Sequence, residues 1–286
     1  MLAKKFRPPR SARDGADGPF VVPEPGERGD APLLDLADVS FGYRPGTTVI
    51  KGLNLTVAPG EFVSIVGPSG CGKSSLLRLV ADFSKPDDGS IATHFRRPDR
   101  HAISMVFQED TLLPWLRVRD NVLLHQRFTG RRRTRQAQDL AASLLAMVGL
   151  DAKADAYPAH LSGGMRRRVA VLTALAAEPE LLLLDEPFSA LDEPTRVGVH
   201  RDLHRLVRTS GASVVLVTHD LGEAISLSDR VVMLTPPPSH VAAEFDIPFG
   251  PDRDVRAVRS DPEFHALYAR LWQGMGAEAA AGGEAR

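Results

Sequence analysis

The stretch EFVSIVGPSGCGKSSLLRLV, residues 61–80, decides the fold of this 286-residue chain. Glu61–Val66 is a short apolar run typical of a buried strand, and Ser74–Val80 has the residue types of a helix. Between them, Gly67–Ser74 matches the pattern G-x-x-x-x-G-K-[ST] at every fixed position. The sequence therefore predicts a strand, a phosphate-binding loop and a helix in succession.

The residue types of this loop suit a nucleotide's phosphates and a magnesium ion. The glycines let several backbone N–H groups point at one phosphate chain, and the following helix adds its N-terminal dipole. Lys73 supplies a charge for the β- and γ-phosphates, and the Ser74 hydroxyl is an oxygen ligand suited to Mg²⁺. We interpret Cys71 as a small residue that fits the loop, with a redox switch as the alternative.

Outward from the loop, apolar runs alternate with helical stretches, which favours a parallel sheet. The strand candidates are Leu34–Val39, Val49–Val57, Ile103–Phe107, Leu181–Leu184, Val214–Val217 and Val231–Leu234, and the helix candidates are Arg135–Val148, Met165–Ala177 and Thr195–Thr209. We predict an α/β fold: a P-loop NTPase core with a parallel sheet, an antiparallel β subdomain near the N-terminus and an inserted helical subdomain at about 112–165.

The division of the chain follows composition. We expect a disordered tail at 1–32, a nucleotide-binding domain at 33–235, a C-terminal extension with a helix at 236–272 and a flexible tail at 273–286. The net charge of −1 gives no reason to expect a nucleic-acid partner, and one cysteine excludes both a disulfide framework and a cysteine-built metal cluster. No apolar run reaches the ~18–20 residues that span a bilayer. The basic N-terminus lacks the apolar region of a signal peptide.

Two further motifs carry chemistry. The apolar run Leu181–Leu184 ends in Asp185-Glu186, an arrangement suited to Mg²⁺ coordination and to a general base for water attack. Ser162 is a natural N-cap, and Gly163-Gly164 allow a ligand to approach the backbone of the next helix. The alternatives are a structural acid pair and an ordinary capped helix.

Six elements in this order resemble the ATP-binding subunits of ABC transporters. They are the phosphate loop, Gln108, Leu161–Met165, Asp185-Glu186, Ser189–Asp192 and His219. The resemblance covers about residues 33–235 and continues more weakly to about 272. It implies ATP and Mg²⁺ as cofactors and a homodimer in which two ATP molecules are shared between chains.

The resemblance also assigns roles to residues. Catalytic roles fall to Lys73, Gln108, Glu186 and His219, with Glu186 as general base, and Mg²⁺ ligation to Ser74, Gln108 and Asp185. ATP contacts fall to Tyr43 (on the adenine), Gly67, Pro68, Ser69, Gly70, Cys71, Gly72, Lys73, Ser74 and Ser75. The signature residues Leu161, Ser162, Gly163, Gly164 and Met165 would contact the ATP of the partner subunit. The loop Ser189, Ala190, Leu191 and Asp192 would connect the two subunits.

Within that family, three segments are similar to the nitrate, sulfonate and taurine importers. They are Phe107–Leu116, Asp120–Val122 and Arg259–Trp272. The resemblance implies a transmembrane permease partner, an indirect extracytoplasmic solute-binding protein, and a peripheral position on the cytoplasmic face of the inner membrane. The alternatives are a soluble ABC-type ATPase acting in assembly and a binding module that has lost hydrolysis.

Overall fold

A computed structural model of the chain describes residues 31–44, 46–96, 102–109, 111–129 and 134–283, with side chains described up to 276. Predictions for residues 1–30 lie outside the described residues. The strands are β1 Leu34–Arg44, β2 Thr47–Val57, β3 Phe62–Val66, β4 Asp88–Thr93, β5 Ile103–Val106, β6 Leu181–Asp185, β7 Ser213–Val217, β8 Arg230–Leu234 and β9 Val241–Asp246. The α-helices are α1 Lys73–Val80, α2 Val118–Val122, α3 Leu124–Phe128, α4 Arg135–Met147, α5 Gly163–Leu175, α6 Glu193–Ser210, α7 Leu221–Leu227 and α8 Pro262–Gly283.

Two sheets carry the fold. The larger has the order β5-β6-β7-β3-β8-β9, and its first five strands are parallel to their neighbours. The smaller has the order β2-β1-β4 and is antiparallel throughout. The predicted α/β class, with a parallel sheet and an N-terminal antiparallel unit, is confirmed.

The apolar side chains of the parallel strands divide between two layers because successive residues of a strand face opposite ways. Leu182 and Leu184 pack with α4, α5 and α6 in one buried cluster. Leu181 and Leu183 pack with β1, β2 and α1 in another. A third cluster joins α7, β8 and α8. The sheet is therefore covered on both faces, as a parallel sheet requires.

Between 111 and 165 the described residues form helices and two 3₁₀ turns, Asp151–Lys153 and Pro158–His160, without a strand. This agrees with the helical insertion predicted at about 112–165. Its apolar residues Val118, Val122 and Leu144 share one core with α5 and α6.

Four elements differ from expectation, and one of them, the helix α7, was not among the helix candidates. Strands β4 and β9 were not predicted: β4 is mostly exposed, and β9 alternates between half-buried and exposed residues, so neither has a continuous apolar run. β9 also pairs antiparallel with β8 at the sheet edge. The C-terminal helix α8 was expected to end near Trp272 but runs to Gly283. The alanines near its end favour the helical conformation. Gly274 packs closely on Met233, since an added Cβ at this position would lie 3.1 Å from Met233 Sδ.

Across the described ranges, no helix combines the length and apolar character needed to cross a bilayer.

Candidate functional site

The phosphate loop lies between β3 and α1 and is set by glycines with positive φ. Gly70 and Gly72 have φ of 77° and 95°. At Gly72 an added Cβ would lie 2.8 Å from Val49 Cγ1, so this position accepts no side chain without displacement. Lys73 is buried, and its Nζ donates to the carbonyl oxygens of Gly67 and Pro68 at 2.9 Å each. The loop therefore curls around the lysine amine at the start of α1.

The carboxyl ends of the parallel strands bring the predicted acids to this loop. The Ser74 hydroxyl donates to Asp185 Oδ1 at 2.8 Å, which joins the start of α1 to the end of β6. Burial raises the pKa of Asp185, the hydrogen bond from Ser74 opposes the rise, and the neighbouring Glu186 charge adds to it. The Ser74 hydroxyl oxygen and the Asp185 carboxylate oxygen lie close together, and Mg²⁺ prefers oxygen ligands of these kinds.

Glu186 and His219 form a second contact at the same edge of the sheet. His219 Nδ1 lies 3.1 Å from Glu186 Oε2, although the two residues follow different strands. Glu186 has φ of 42°, a left-handed conformation that is costly for a side chain of this kind. The Glu186 N–H donates to the Val217 carbonyl at 2.9 Å, which holds it there. Such strain is concentrated at functional sites.

Gln108 lies close to the loop that follows β6. Its Nε2 donates to Ser189 Oγ at 3.4 Å, and the Ser189 hydroxyl donates to the Glu186 carbonyl at 3.2 Å. The structure thus brings Gln108 to the predicted dimer loop, and its predicted contact with Mg²⁺ stays a prediction.

Tyr43 stands beside α1. Its hydroxyl lies 2.8 Å from Ser75 Oγ, and its ring meets Phe41 edge-on with centroids 5.1 Å apart. Tyr43 is 60% exposed, so an aromatic residue near the phosphate loop is largely open to solvent. Its predicted contact with adenine stays a prediction.

The signature residues open α5 next to the start of α6. The Met165 N–H donates to Ser162 Oγ at 3.3 Å, which is the predicted N-cap. Gly164 is buried, and an added Cβ there would lie 2.2 Å from Thr195 Cγ2. Leu161 is also buried. The helix start is therefore packed tightly on its α6 side, while Ser162 and Gly163 are exposed.

The dimer loop ends in the cap of α6. The Thr195 N–H donates to Asp192 Oδ2 at 3.3 Å. Hydrogen bonding from the Thr195 side chain, and secondarily from its backbone N–H, holds the pKa of Asp192 below its ordinary value. Ser189 and Ala190 are exposed and Leu191 is buried. The loop thus presents polar and small side chains beside the exposed start of α5.

Two arginines at this site were not predicted from the sequence. Arg167 Nη1 donates to the Phe107 carbonyl at 2.7 Å, which ties α5 to the segment that carries Gln108. Arg196 Nη1 donates to Asp220 Oδ2 at 2.9 Å. The spacing of Arg196 from Asp192 places both on one helix face, but nothing in the local sequence separates it from the exposed arginines nearby.

The chain is similar in sequence to known proteins. A family profile described as ABC transporter matches residues 50–189. The aliphatic sulfonates import ATP-binding protein SsuB 1 of Rhodococcus jostii (strain RHA1) is 46% identical over 202 residues, which are 71% of this chain and 79% of that protein. The bicarbonate transport ATP-binding protein CmpD of Synechococcus elongatus (strain ATCC 33912 / PCC 7942 / FACHB-805) is 38% identical over 250 residues, 85% of this chain and 90% of that protein.

A solved structure is also similar. It is an ATP-binding cassette described as a dimer in a post-hydrolysis state, bound to ADP and Pi. It aligns with a TM-score of 0.63 at 33% sequence identity, covering 75% of this chain and 99% of that one.

Proposed function

The chain belongs to the ABC transporter family of ATP-binding subunits, and on that premise we propose that it hydrolyses Mg-ATP to drive the uptake of a small anion. The observation that carries the proposal is the Glu186–His219 contact of 3.1 Å, formed at the same sheet edge as the 2.8 Å Ser74–Asp185 contact. One pair suits water activation and the other suits the metal that accompanies ATP.

Each residue then has a role in the reaction. Lys73 and the N–H groups of the loop bind the β- and γ-phosphates, while the open ring of Tyr43 receives the adenine. Ser74, Asp185 and Gln108 would hold Mg²⁺, which supplies positive charge for the transferred phosphoryl group. Glu186 accepts the proton of the attacking water, and His219 holds the Glu186 carboxylate through their hydrogen bond and faces the γ-phosphate.

The second half of each site comes from another copy of the chain. The exposed start of α5 offers backbone N–H groups and a helix dipole that suit a phosphate. In a homodimer of C₂ symmetry, the start of α5 in each chain would bind the γ-phosphate held by the other chain's loop. Support comes from the similar cassette, which is described as a dimer. ATP would then favour the closed dimer, and hydrolysis would remove that preference.

The partners of this dimer lie in the membrane and beyond it. We propose a transmembrane permease that binds the dimer on the cytoplasmic face of the inner membrane, and a solute-binding protein outside. The relatives are named for sulfonates and bicarbonate, both small anions, so the cargo is proposed to be an anion of this size, such as a sulfonate or nitrate, or the zwitterion taurine, which carries a sulfonate group. Its selection lies with the permease and the solute-binding protein.

The test is purification of tagged Glu186→Gln chain from the cell's own membranes in mild detergent with Mg-ATP, with Lys73→Ala as the matched control whose ATP binding is expected to be at least about tenfold weaker. We expect a multi-spanning permease to accompany Glu186→Gln. The same complex, purified with the unsubstituted chain, would then be reconstituted and its ATP hydrolysis measured with a sulfonate, taurine, nitrate and bicarbonate, each presented by the solute-binding protein. Recovery from the soluble fraction alone, without a permease, would contradict the proposal and favour a soluble assembly ATPase.

A further inference from the structure

One guanidinium joins the two loops that carry Glu186 and His219. Arg196, in the first turn of α6, donates from Nη2 to the Leu191 carbonyl at 2.9 Å. It also donates from Nη1 to Asp220 Oδ2 at 2.9 Å. Leu191 belongs to the dimer loop, and Asp220 follows His219 directly. A planar guanidinium with a fixed fork of donors is suited to hold two acceptors at once.

The turn that carries His219 is itself fixed around a buried acid. Thr218 Oγ1 donates to Glu223 Oε2 at 2.6 Å, and the Asp220 N–H donates to Thr218 Oγ1 at 3.0 Å. The Glu223 N–H donates to Asp220 Oδ1 at 3.0 Å, which caps α7. These hydrogen bonds hold Asp220 in the same turn as its neighbour His219, so the position of the Asp220 carboxylate and that of the turn are linked.

Charge and packing keep Arg196 in this position. Its Nε lies 3.8 Å from Glu223 Oε1, and Glu223 is 3% exposed. His200 is fully buried on the same helix, with Nε2 3.4 Å from Glu223 Oε1 and its ring 4.5 Å from that of Phe188. A buried carboxylate needs such partners, since an unpaired charge there would be costly.

We propose that Arg196 is a positioning residue for hydrolysis, which sets His219 against Glu186 by clamping the Asp220 carboxylate to the dimer loop. The inference rests on the proposed roles of Glu186 and His219. It adds a route by which the dimer loop, when it meets a second chain, acts on the histidine turn of its own chain. Among the described residues, the hydrogen bonds and ion pairs of Arg196 go to Leu191, Asp220, Glu223 and Glu193, and none of them goes to Glu186 or His219.

The experiment compares Arg196→Lys and Arg196→Ala with Arg201→Ala, a matched control on the same helix. Arg201 is 54% exposed and pairs with Asp202, away from both loops. We expect kcat for ATP to fall about 10- to 100-fold in the Arg196 variants, since small misplacement of catalytic groups costs this much. Lysine keeps the charge but loses the fork, so Arg196→Lys is expected to fold and still to be slow. KM for ATP and the melting temperature of Arg196→Lys are expected to stay close to those of the control.

A double variant separates positioning from general damage. If Arg196 acts through His219, adding Arg196→Lys to His219→Ala should lower kcat by less than about twofold more, because the pathway is already broken. Additive losses, or a wild-type kcat in Arg196→Lys, would overturn the inference while leaving the proposed function standing. A wild-type rate in His219→Ala alone would instead overturn the proposed role of His219, and this inference with it.

Discussion

Two helices of this chain, α1 and α5, begin with residues suited to binding a phosphate group, and the two N-termini differ in how far they are buried. The start of α1 is the more enclosed of the two, although Ser74 is exposed: Lys73 and Ser75 are buried, and Gly72 leaves no room for a side chain against Val49. The start of α5 is open, with Ser162 and Gly163 exposed. The first is accompanied by its own lysine and by Asp185, whereas the second offers backbone groups and a serine cap. One start is equipped to hold a nucleotide within the chain, and the other suits a nucleotide held by a second copy.

The largest effect is expected from Glu186→Gln, which removes the chemistry and leaves both helix starts intact. Loss of a general base typically lowers the rate by about 10²–10⁴. We expect kcat for ATP hydrolysis to fall by this factor while the affinity for ATP, measured by fluorescent-nucleotide displacement, stays unchanged. Near-normal turnover in Glu186→Gln would remove the residue from its proposed role.

The next effect distinguishes the two starts directly. Lys73→Ala removes a positive charge from the enclosed start of α1. Hydrogen bonds to charged groups are worth about 1.5–3 kcal/mol each, so we expect the variant to bind ATP at least about tenfold more weakly.

Gly163→Glu places a negative charge at the exposed start of α5 without touching the cap on Ser162. We expect the Gly163→Glu chain to bind ATP normally as a monomer and to lose turnover. Weaker monomer binding in Gly163→Glu would mean that α5 contributes to the nucleotide site of its own chain.

A smaller effect is expected on stability. Gly164→Ala places a Cβ 2.2 Å from Thr195 Cγ2, whereas Gly163→Ala meets Leu191 Cδ2 at an ordinary 3.7 Å. Overpacking of this kind typically costs about 1–3 kcal/mol. Urea unfolding without nucleotide should therefore show a loss of this size in Gly164→Ala and little change in Gly163→Ala. Equal stability of the two variants would contradict the close packing of α5 on α6.

The smallest effect concerns the thiol in the enclosed start. Burial raises the pKa of Cys71, and the opposing charge of Lys73 is a lesser influence. The folded chain therefore has less thiolate than a free cysteine at any pH below that raised pKa, and thiolate is the reactive form. Alkylation by iodoacetamide at pH 8 should be slower than in the urea-unfolded chain, and the single cysteine makes the readout unambiguous. Equal alkylation rates in the folded and the unfolded chain would contradict the burial of Cys71 in the phosphate loop.

The sequence predicts the enclosed start better than its surroundings. Residues 61–80 are contiguous, so the strand, loop and helix appear as one local pattern. The exposed β4 and the edge strand β9 carry no apolar run, and periodicity does not reveal them. Motif spacing and family resemblance indicated Glu186 and His219, and the parallel strands bring the two together.

Arg167 and Arg196 could not be predicted from the sequence either, and the reason differs from that for the strands. Arg167 bonds to Phe107, 60 residues away, and Arg196 bonds to Asp220, 24 residues away. Contacts of this kind depend on how α5 and α6 pack on the sheet. No local pattern marks which of several arginines on a helix faces inward.

The most direct test of a nucleotide site shared between the two starts is sedimentation velocity of Glu186→Gln with Mg-ATP. The account predicts a dimer with Mg-ATP and a monomer with Mg-ADP. It also predicts a monomer for the double variant Glu186→Gln, Gly163→Glu in Mg-ATP, although that chain still binds ATP. A double variant that dimerises as well as Glu186→Gln would contradict the account, because the exposed start of α5 would then have no part in holding the partner's nucleotide.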